Sequence, residues 1–204
     1  MRKFLSLIAL LIQSGLYAQT YYDAENREID KQTFDKLLLD SKYESVANDS
    51  LNRFKLFNFR ERSEVGKLGD VENLYKELNE RLNMQLTTNK PLIIYYYPGK
   101  DPCNSGGVFV KRKELLKWDK ELSQKIQKVA DVNVLRIYKD SDGIKTLKDH
   151  DWRKDPNALI ENLFFNYHYG CGSFVIIDKE RYVASFGEYG HKEVVASLRY
   201  LLEQ

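Results

Sequence analysis

The sequence has no excess of charge of either sign. Its 32 lysine and arginine residues stand against 30 aspartate and glutamate residues, and the two kinds are interspersed along the chain. A protein that attracts nucleic acid or anionic lipid through its charge needs a concentrated basic region, and this sequence has none. The composition therefore predicts no nucleic-acid partner.

Long apolar runs are also scarce, and the one that approaches membrane character lies at the N-terminus. A basic start at residues 1–3 precedes the apolar segment 4–12, and a small residue, Ala18, follows a short polar stretch. This order is typical of a secretory signal peptide, because the apolar segment is too short to span a bilayer. We expect residues 1–18 to be removed and the mature chain to be periplasmic or secreted, without membrane attachment. A retained N-terminal anchor is the alternative.

Cysteine is the third scarce feature, since the chain contains only Cys103 and Cys171. An exported protein meets an oxidising compartment, where two thiols can form a disulfide. The three histidines fall on different predicted elements, and structural zinc sites usually show two close pairs of ligands. We therefore expect no metal site and no cofactor, and the cysteines become the chemistry to explain.

From Asp70 onward the apolar residues follow a regular alternation of helices and strands. Asp70 can cap a helix whose apolar residues recur every three or four positions as far as Leu86. The continuous apolar and aromatic run Leu92–Tyr97 predicts a central strand that is covered on both faces. The later predicted elements are a helix over 115–130, a strand over 132–138, a helix opened by Asp155 and Pro156 and reaching Tyr167, strands over 173–178 and 181–186, and a helix over 194–202. This order predicts a βαβ unit with parallel strands, followed by an antiparallel hairpin.

The segment before Asp70 gives weaker patterns. Thr33 can cap a short helix that contains Phe34, and residues 53–59 alternate in part like a strand. We therefore expect an α+β extension at residues 19–69 and a single α/β domain at residues 70–204.

The predicted order of elements, with Cys103 in the loop between the first core strand and its helix, resembles the thioredoxin-like superfamily. Residues 93–97 are similar to the family's central strand, and residues 173–183 with the glycine after them are similar to its terminal hairpin. Gly170-Cys171-Gly172 falls where the family places the loop that faces its active-site cysteines. The resemblance implies a thioredoxin-like fold, with a central mixed sheet flanked by helices.

The family's Cys-x-x-Cys motif is incomplete in this chain. In one alignment the motif is Lys100-Asp101-Pro102-Cys103, so that Lys100 replaces the attacking cysteine. In the other alignment Cys103 begins a one-cysteine motif, with Gly106 in the resolving position. The sequence does not choose between the two alignments.

The resemblance also implies that the two cysteine-bearing loops are neighbours, which would bring Cys171 near Cys103. Three interpretations of the pair stay open: a structural disulfide, a reversible redox pair, or two unrelated buried thiols. In the redox interpretation Cys103 is the thiolate, Cys171 resolves it and Lys100 lowers the pKa of the thiolate. Gly172 stands where the family has a cis-proline. The residues expected to contact a substrate are Pro102, Tyr169, Gly172 and Ser173.

These observations predict an exported, monomeric, thioredoxin-like protein that exchanges disulfides with protein or peptide thiols through Cys103 and Cys171. The alternative is a non-catalytic binding module of the same fold, in which the disulfide is structural. Whether the protein is an enzyme therefore depends on the behaviour of one pair of cysteines.

Overall fold

Two mixed β-sheets and six helices make up the computed structural model, which describes residues 18–105 and 111–203. The predicted signal peptide, apart from Ala18, lies outside these residues, and so does Gly106. Within the described ranges, no helix has both the length and the hydropathy that crossing a bilayer would require. The predicted α/β class is confirmed.

The smaller sheet is formed by the segment that precedes residue 60. Its elements are β1 (Thr20–Tyr22), β2 (Glu28–Ile29), helix α1 (Lys31–Leu38), β3 (Tyr43–Asn48) and β4 (Arg53–Asn58), and its strand order is β2-β1-β4-β3. The prediction of a strand at 53–59 is confirmed in β4. The prediction that Thr33 caps the helix is wrong, because Asp30 lies three residues earlier and its carboxylate accepts a hydrogen bond from the Thr33 amide at 2.9 Å.

The larger sheet has six strands, and β6 lies inside it between β9 and β7. The strands are β5 (Ser63–Lys67), β6 (Leu92–Tyr97), β7 (Asn133–Tyr138), β8 (Trp152–Lys154), β9 (Ser173–Asp178) and β10 (Arg181–Ser185), in the order β5-β10-β9-β6-β7-β8. Strand β6 pairs in parallel with β7 and antiparallel with β9, and β9 and β10 form an antiparallel hairpin. The predicted central strand, βαβ unit and hairpin are therefore confirmed.

Helices cover both faces of the larger sheet. They are α2 (Val71–Leu82), α4 (Arg112–Gln127), α5 (Leu159–Phe164) and α6 (His191–Leu202), and a short helix α3 (Pro102–Ser105) follows β6. Ile94 and Tyr96 pack in the core shared with α2 and α5, whereas Ile93 and Tyr95 pack in the core shared with α4 and α6. Because successive side chains of a strand point to opposite faces, β6 must be apolar throughout.

Two predicted helices end earlier than their apolar spacing suggests. Helix α2 ends at Leu82, because Asn83 adopts a positive φ of 51° and its amide bonds to the Asn79 carbonyl. Helix α5 ends at Phe164, before Tyr167. Leu86 and Tyr167 therefore fit the helical spacing of the apolar residues, although they lie beyond the ends of the helices.

The sequence is polar from Lys139 to Lys154 and gives no predicted element there, but this connection ends in β8. This strand pairs in parallel with β7 over three residues, which is too short for alternation to identify. Helix α5 begins at Leu159 rather than at the predicted Pro156, because Pro156–Ala158 forms a separate 3₁₀ turn and Ala158, with a positive φ of 54°, is the N-cap of α5. The Asp155 carboxylate still accepts hydrogen bonds from the first turn of α5, from the amides of Ile160 at 3.0 Å and Glu161 at 2.8 Å.

The segment 19–69 contributes to both sheets. Strand β5 lies before the predicted boundary at residue 70, yet it pairs antiparallel with β10 in the larger sheet. The smaller sheet packs on the segment after α5, where the His168 amide donates to the Ala47 carbonyl at 2.8 Å. The division into residues 19–69 and 70–204 stays a prediction.

Candidate functional site

Cys103 and Cys171 form a disulfide, although 68 positions separate them in the sequence. Their Cα atoms are 5.0 Å apart, within the range that a disulfide requires. The expected approach of the two loops is therefore confirmed, and the interpretation as unrelated thiols is wrong. A disulfide within one chain is compatible with an oxidising compartment.

Helix α3 holds Cys103 through two side chains that cap it reciprocally. The Asp101 carboxylate accepts from the Asn104 amide at 2.8 Å, and the Asn104 side-chain oxygen accepts from the Asp101 amide at 2.9 Å. The Asn104 side-chain nitrogen also donates to the Gly99 carbonyl at 2.8 Å. Pro102 occupies the first helical position, where its missing N–H costs nothing. Cys103 is thereby exposed on a short but well-fixed turn.

The same Asp101 carboxylate also reaches across to the loop that carries Cys171. Its second oxygen accepts from the Cys171 amide at 3.1 Å and lies 3.2 Å from Nε2 of His168. Asp101 is buried, whereas the side chain of His168 is about one-third exposed. The Asp101 carboxylate therefore binds both cysteine-bearing segments, the turn of Cys103 and the loop of Cys171. Removing this carboxylate would disturb both segments together.

Sequence reasoning missed this role of Asp101, although a signal was present. Aspartate directly before proline, as in Asp101-Pro102, is typical of the N-cap of a helix, and Asn104 follows three positions later, where its side chain can reach back to the cap. That pattern could have predicted α3. It could not have predicted that the second oxygen of Asp101 bonds to a loop 70 residues away.

Cys171 lies at the centre of a tight γ-turn. The Gly172 amide donates to the Gly170 carbonyl at 3.0 Å, and Cys171 has a φ of 72°. Positive φ is uncommon outside glycine, and such a turn stores about 1–3 kcal/mol of backbone strain. Gly172 itself has a φ of 146°, and a Cβ at this position would lie 3.3 Å from the Tyr96 carbonyl. The position before Ser173 therefore favours glycine because of its backbone conformation.

The residues predicted to contact a substrate divide into exposed and buried groups. Pro102 is exposed beside Cys103. Ser173 is only 1% exposed, and its hydroxyl accepts from the Gly187 amide at 3.2 Å. Tyr169 is also buried, with its ring 5.0 Å from that of Phe57. Contact with substrate stays a prediction for all four residues, and Ser173 and Tyr169 have structural partners that sequence reasoning did not anticipate.

Lys100, the predicted modulator of the thiolate, is exposed and has an acidic neighbour. Its Nζ lies 3.8 Å from a carboxylate oxygen of Asp142 on the connection after β7. An exposed pair of this length contributes little to stability. The effect of Lys100 on the cysteines stays a prediction.

Tyr97 links the helix α3 to the same connection. Its hydroxyl donates to the Asp142 carbonyl at 2.9 Å and lies 3.3 Å from the side-chain oxygen of Asn104. Burial, together with the carboxylates of Asp101, Asp142 and Asp140, raises the pKa of Tyr97 to about 12. The hydroxyl therefore keeps its proton at neutral pH and remains a hydrogen-bond donor.

Glu188 is a second acidic residue at the disulfide that sequence reasoning missed. A carboxylate oxygen of Glu188 and the sulfur atoms of Cys103 and Cys171 all lie within 4.8 Å of one another. The histidines have other partners: Nε2 of His150 lies 2.8 Å from Asp119, and Nε2 of His191 lies 3.0 Å from the Trp118 carbonyl. No sequence pattern marks Glu188, because it is a single acidic residue in a loop.

The site therefore consists of an exposed cysteine, a half-buried cysteine in a strained turn, and two carboxylates beside them. We compared the chain with protein families, curated proteins and solved structures, and no family model, curated protein or solved structure matches it.

Proposed function

We propose that this chain is an exported, thioredoxin-like protein that exchanges disulfides with protein or peptide thiols through Cys103 and Cys171. The observation that carries the proposal is the disulfide between an exposed cysteine after β6 and a half-buried cysteine before β9. The order β6, α4, β7, then β9, β10 and α6 supports the thioredoxin-like assignment, since the resemblance implies that order. The disulfide also supports export, because oxidised cysteines persist outside the cytoplasm.

The difference in exposure gives the two cysteines different roles in the proposed exchange. A substrate thiolate attacks the sulfur of exposed Cys103, forms a mixed disulfide and breaks the bond to Cys171, which leaves as a thiolate and takes up a proton. The second thiol of the substrate then attacks the substrate's own sulfur in the mixed disulfide, and Cys103 leaves. The substrate dithiol loses two electrons and two protons, and the protein gains both.

The backbone strain at Cys171 favours this reaction in one respect. In the disulfide, Cys171 is held in the left-handed region by its bond to Cys103 and by the hydrogen bond from its amide to Asp101. Reduction removes the first of these constraints. A loop that can relax after reduction stabilises the dithiol form relative to the disulfide, which raises the reduction potential.

The second candidate is a binding module in which the same disulfide is structural. The loop that carries Cys171 is tied to β3 through His168, and Asn48 donates to the Asn166 carbonyl at 2.6 Å. Closing a loop of this length contributes about 4 kcal/mol through the entropy of the unfolded chain. A structural disulfide would add one more constraint to this loop, which hydrogen bonds already hold against β3.

The reduction potential of the Cys103–Cys171 pair separates the two candidates. We expect equilibration with glutathione buffers to give a value above about −300 mV, whereas structural disulfides in exported proteins usually fall below it. A lower value would contradict the exchange function and leave the binding module.

Two variants test the roles of the cysteines in a reduction assay on insulin, which runs the exchange in reverse: the Cys103 thiolate of the reduced protein attacks the insulin disulfide, and Cys171 resolves the mixed disulfide. Cys103→Ser should abolish activity, because the accessible sulfur is lost. Cys171→Ser should also stop turnover, but it should accumulate a mixed disulfide between Cys103 and the substrate, which mass spectrometry detects. Accumulation in Cys103→Ser instead would reverse the assigned roles, and an inactive wild-type protein would count against the exchange function.

A further inference from the structure

Three potential metal ligands meet at the disulfide. A carboxylate oxygen of Glu188 lies within 4.8 Å of the sulfur atoms of both Cys103 and Cys171, and Glu188 is exposed. In the oxidised protein the sulfur atoms are bonded to each other, and neither is a thiolate. Reduction would convert the same cluster into two thiols beside a carboxylate.

The backbone around Glu188 is fixed on both sides. The Arg62 guanidinium donates to the Glu188 carbonyl at 2.7 Å, and the Gly187 amide donates to the Ser173 hydroxyl at 3.2 Å. On the other side, the Tyr189 ring stacks on the Tyr95 ring with centroids 5.9 Å apart. The Glu188 carboxylate itself has no ion pair within residues 18–105 and 111–203. The backbone at Glu188 is thus fixed, while the carboxylate oxygens are exposed and available to a ligand.

We propose that the reduced protein binds one Zn²⁺ ion through the Cys103 and Cys171 thiolates and the Glu188 carboxylate, and that disulfide formation releases the ion. The proposal shares with the proposed function only the requirement that the disulfide can be reduced. Zinc binds thiolate sulfur at about 2.3 Å and carboxylate oxygen at about 2.0–2.2 Å, which places tetrahedral ligand atoms roughly 3.5–3.8 Å apart. The Glu188 oxygen already lies within 4.8 Å of both sulfurs. The two sulfurs are bonded to each other in the disulfide, so after reduction they must move apart to this tetrahedral spacing by rotation of the two cysteine side chains.

The composition of the cluster favours zinc over harder cations. Two thiolates and one carboxylate match a borderline-soft ion, whereas calcium and magnesium prefer oxygen ligands alone. Three protein ligands leave the fourth tetrahedral position to water, because Cys103 and Glu188 are exposed. Bound zinc would therefore protect both thiols from oxidation while remaining open to exchange with a competing chelator.

The redox and metal steps balance separately. A dithiol reductant supplies two electrons and two protons, becomes a disulfide itself, and leaves Cys103 and Cys171 as thiols. Zn²⁺ then displaces one proton from each thiol, so binding releases two protons and its affinity rises with pH. The oxidant for reoxidation can be a disulfide of low-molecular-weight thiols. The two cysteine sulfurs give it two electrons, form their own disulfide and release the zinc ion, and the oxidant becomes two thiols.

The test measures zinc binding to the full mature chain in its two redox states. A trialkylphosphine is the reductant, because it does not hold zinc as a dithiol does; it becomes a phosphine oxide with oxygen from water. Zn²⁺ affinity is measured by competition with a chromophoric chelator, and Co²⁺ serves as the spectroscopic probe. We expect one Zn²⁺ per reduced chain, none for the oxidised chain, and a thiolate-to-cobalt charge-transfer band.

Glu188→Gln tests the third ligand, and Glu80→Gln on α2 is the matched control at an exposed glutamate outside the site. We expect Glu188→Gln to weaken zinc binding by at least about tenfold, by analogy with the loss of groups that support metal ligands. The control should bind as the wild type does. Equal affinity in Glu188→Gln and wild type would overturn the role of Glu188.

Failure of this proposal is distinguishable from failure of the proposed function. A reduced chain that stays folded by circular dichroism but binds no Zn²⁺ overturns the metal site and leaves insulin reduction untouched. Loss of the folded spectrum on reduction also overturns it, since the cluster would no longer exist. Conversely, a potential below about −300 mV would contradict the exchange function even if the phosphine-reduced chain binds zinc.

Discussion

The larger and the smaller sheet are stabilised in different ways. In the larger sheet the central strand β6 is covered on both faces, and Ile93 and Ile94 are fully buried in separate cores. In the smaller sheet the buried cluster consists of Val46, Phe57 and Tyr169, and the third of these belongs to the loop before Cys171. The larger sheet is thus stabilised by helices on both faces, whereas the smaller sheet packs on α1 and also on the cysteine loop.

This difference couples the disulfide to the smaller sheet. Asp101 lies 3.2 Å from the His168 ring, and the His168 amide donates to the Ala47 carbonyl in β3. A continuous series of contacts therefore runs from the turn that carries Cys103 to the edge of the smaller sheet. We expect perturbations at the disulfide to loosen β3 and β4 while leaving β6 and its neighbours in place.

The largest effect should come from the centre of the larger sheet. Ile94→Ala removes three carbon atoms from a fully buried position and should lower the free energy of unfolding by about 4 kcal/mol. Ile94→Val, the matched control, should cost only about 1 kcal/mol. Urea denaturation followed by circular dichroism measures the free energy of unfolding of both variants. A smaller loss of stability in Ile94→Ala than in Val46→Ala, a variant of the smaller sheet, would contradict the comparison of the two sheets.

Asp101→Ala should have the next largest effect, about 3 kcal/mol, because it leaves the Asn104 and Cys171 amides without their acceptor. Amide hydrogen exchange should show faster opening in β3 than in β6. Asp131→Ala is the control, since the Asp131 side chain is 77% exposed and its pair with Lys90 should contribute less than about 1 kcal/mol. Equal loss of protection in both sheets would show that Asp101 is not specific to the cysteine loops.

Val46→Ala should have the smallest of the three effects. It removes two carbon atoms from the cluster of the smaller sheet, which corresponds to about 1.5 kcal/mol. Val65→Ala in β5 is the control, because Val65 is 52% exposed, and it should change stability by less than about 0.5 kcal/mol. If Val46→Ala slows rather than accelerates amide exchange at His168, the packing of this sheet on the cysteine loop is contradicted.

The sequence predicts the larger sheet better than the smaller one for a physical reason. Residues 92–97 are apolar without interruption, and such a run has one stable environment, between two layers of helices. Strands β1 and β2 contain only three and two residues, so alternation could not identify them. Strand β1 is positioned by pairing with β4, and β2 is positioned by pairing with β1, so both depend on a tertiary contact between β1 and β4.

The same contrast holds within the site. The meeting of Cys103 and Cys171 was predictable, because the family resemblance implied which loops are neighbours. The roles of Asp101 and Glu188 were not, because each depends on contacts with residues far away in the chain. The burial of Ser173 and Tyr169 was equally hidden, since the smaller sheet that covers Tyr169 was only partly predicted.

The sequence by itself determined the local features: the helical stripe after Asp70, the buried strand at 92–97, the hairpin at 173–186 and the presence of only two cysteines. The helix and the strands follow from the pattern of apolar residues along the chain, because spacing fixes side-chain direction in helices and strands. Only the tertiary structure decided that one carboxylate joins both cysteine loops and that another lies beside both sulfurs. Hydrogen bonds and ligand geometry between distant segments depend on distances in space, which the spacing of residues along the chain does not specify.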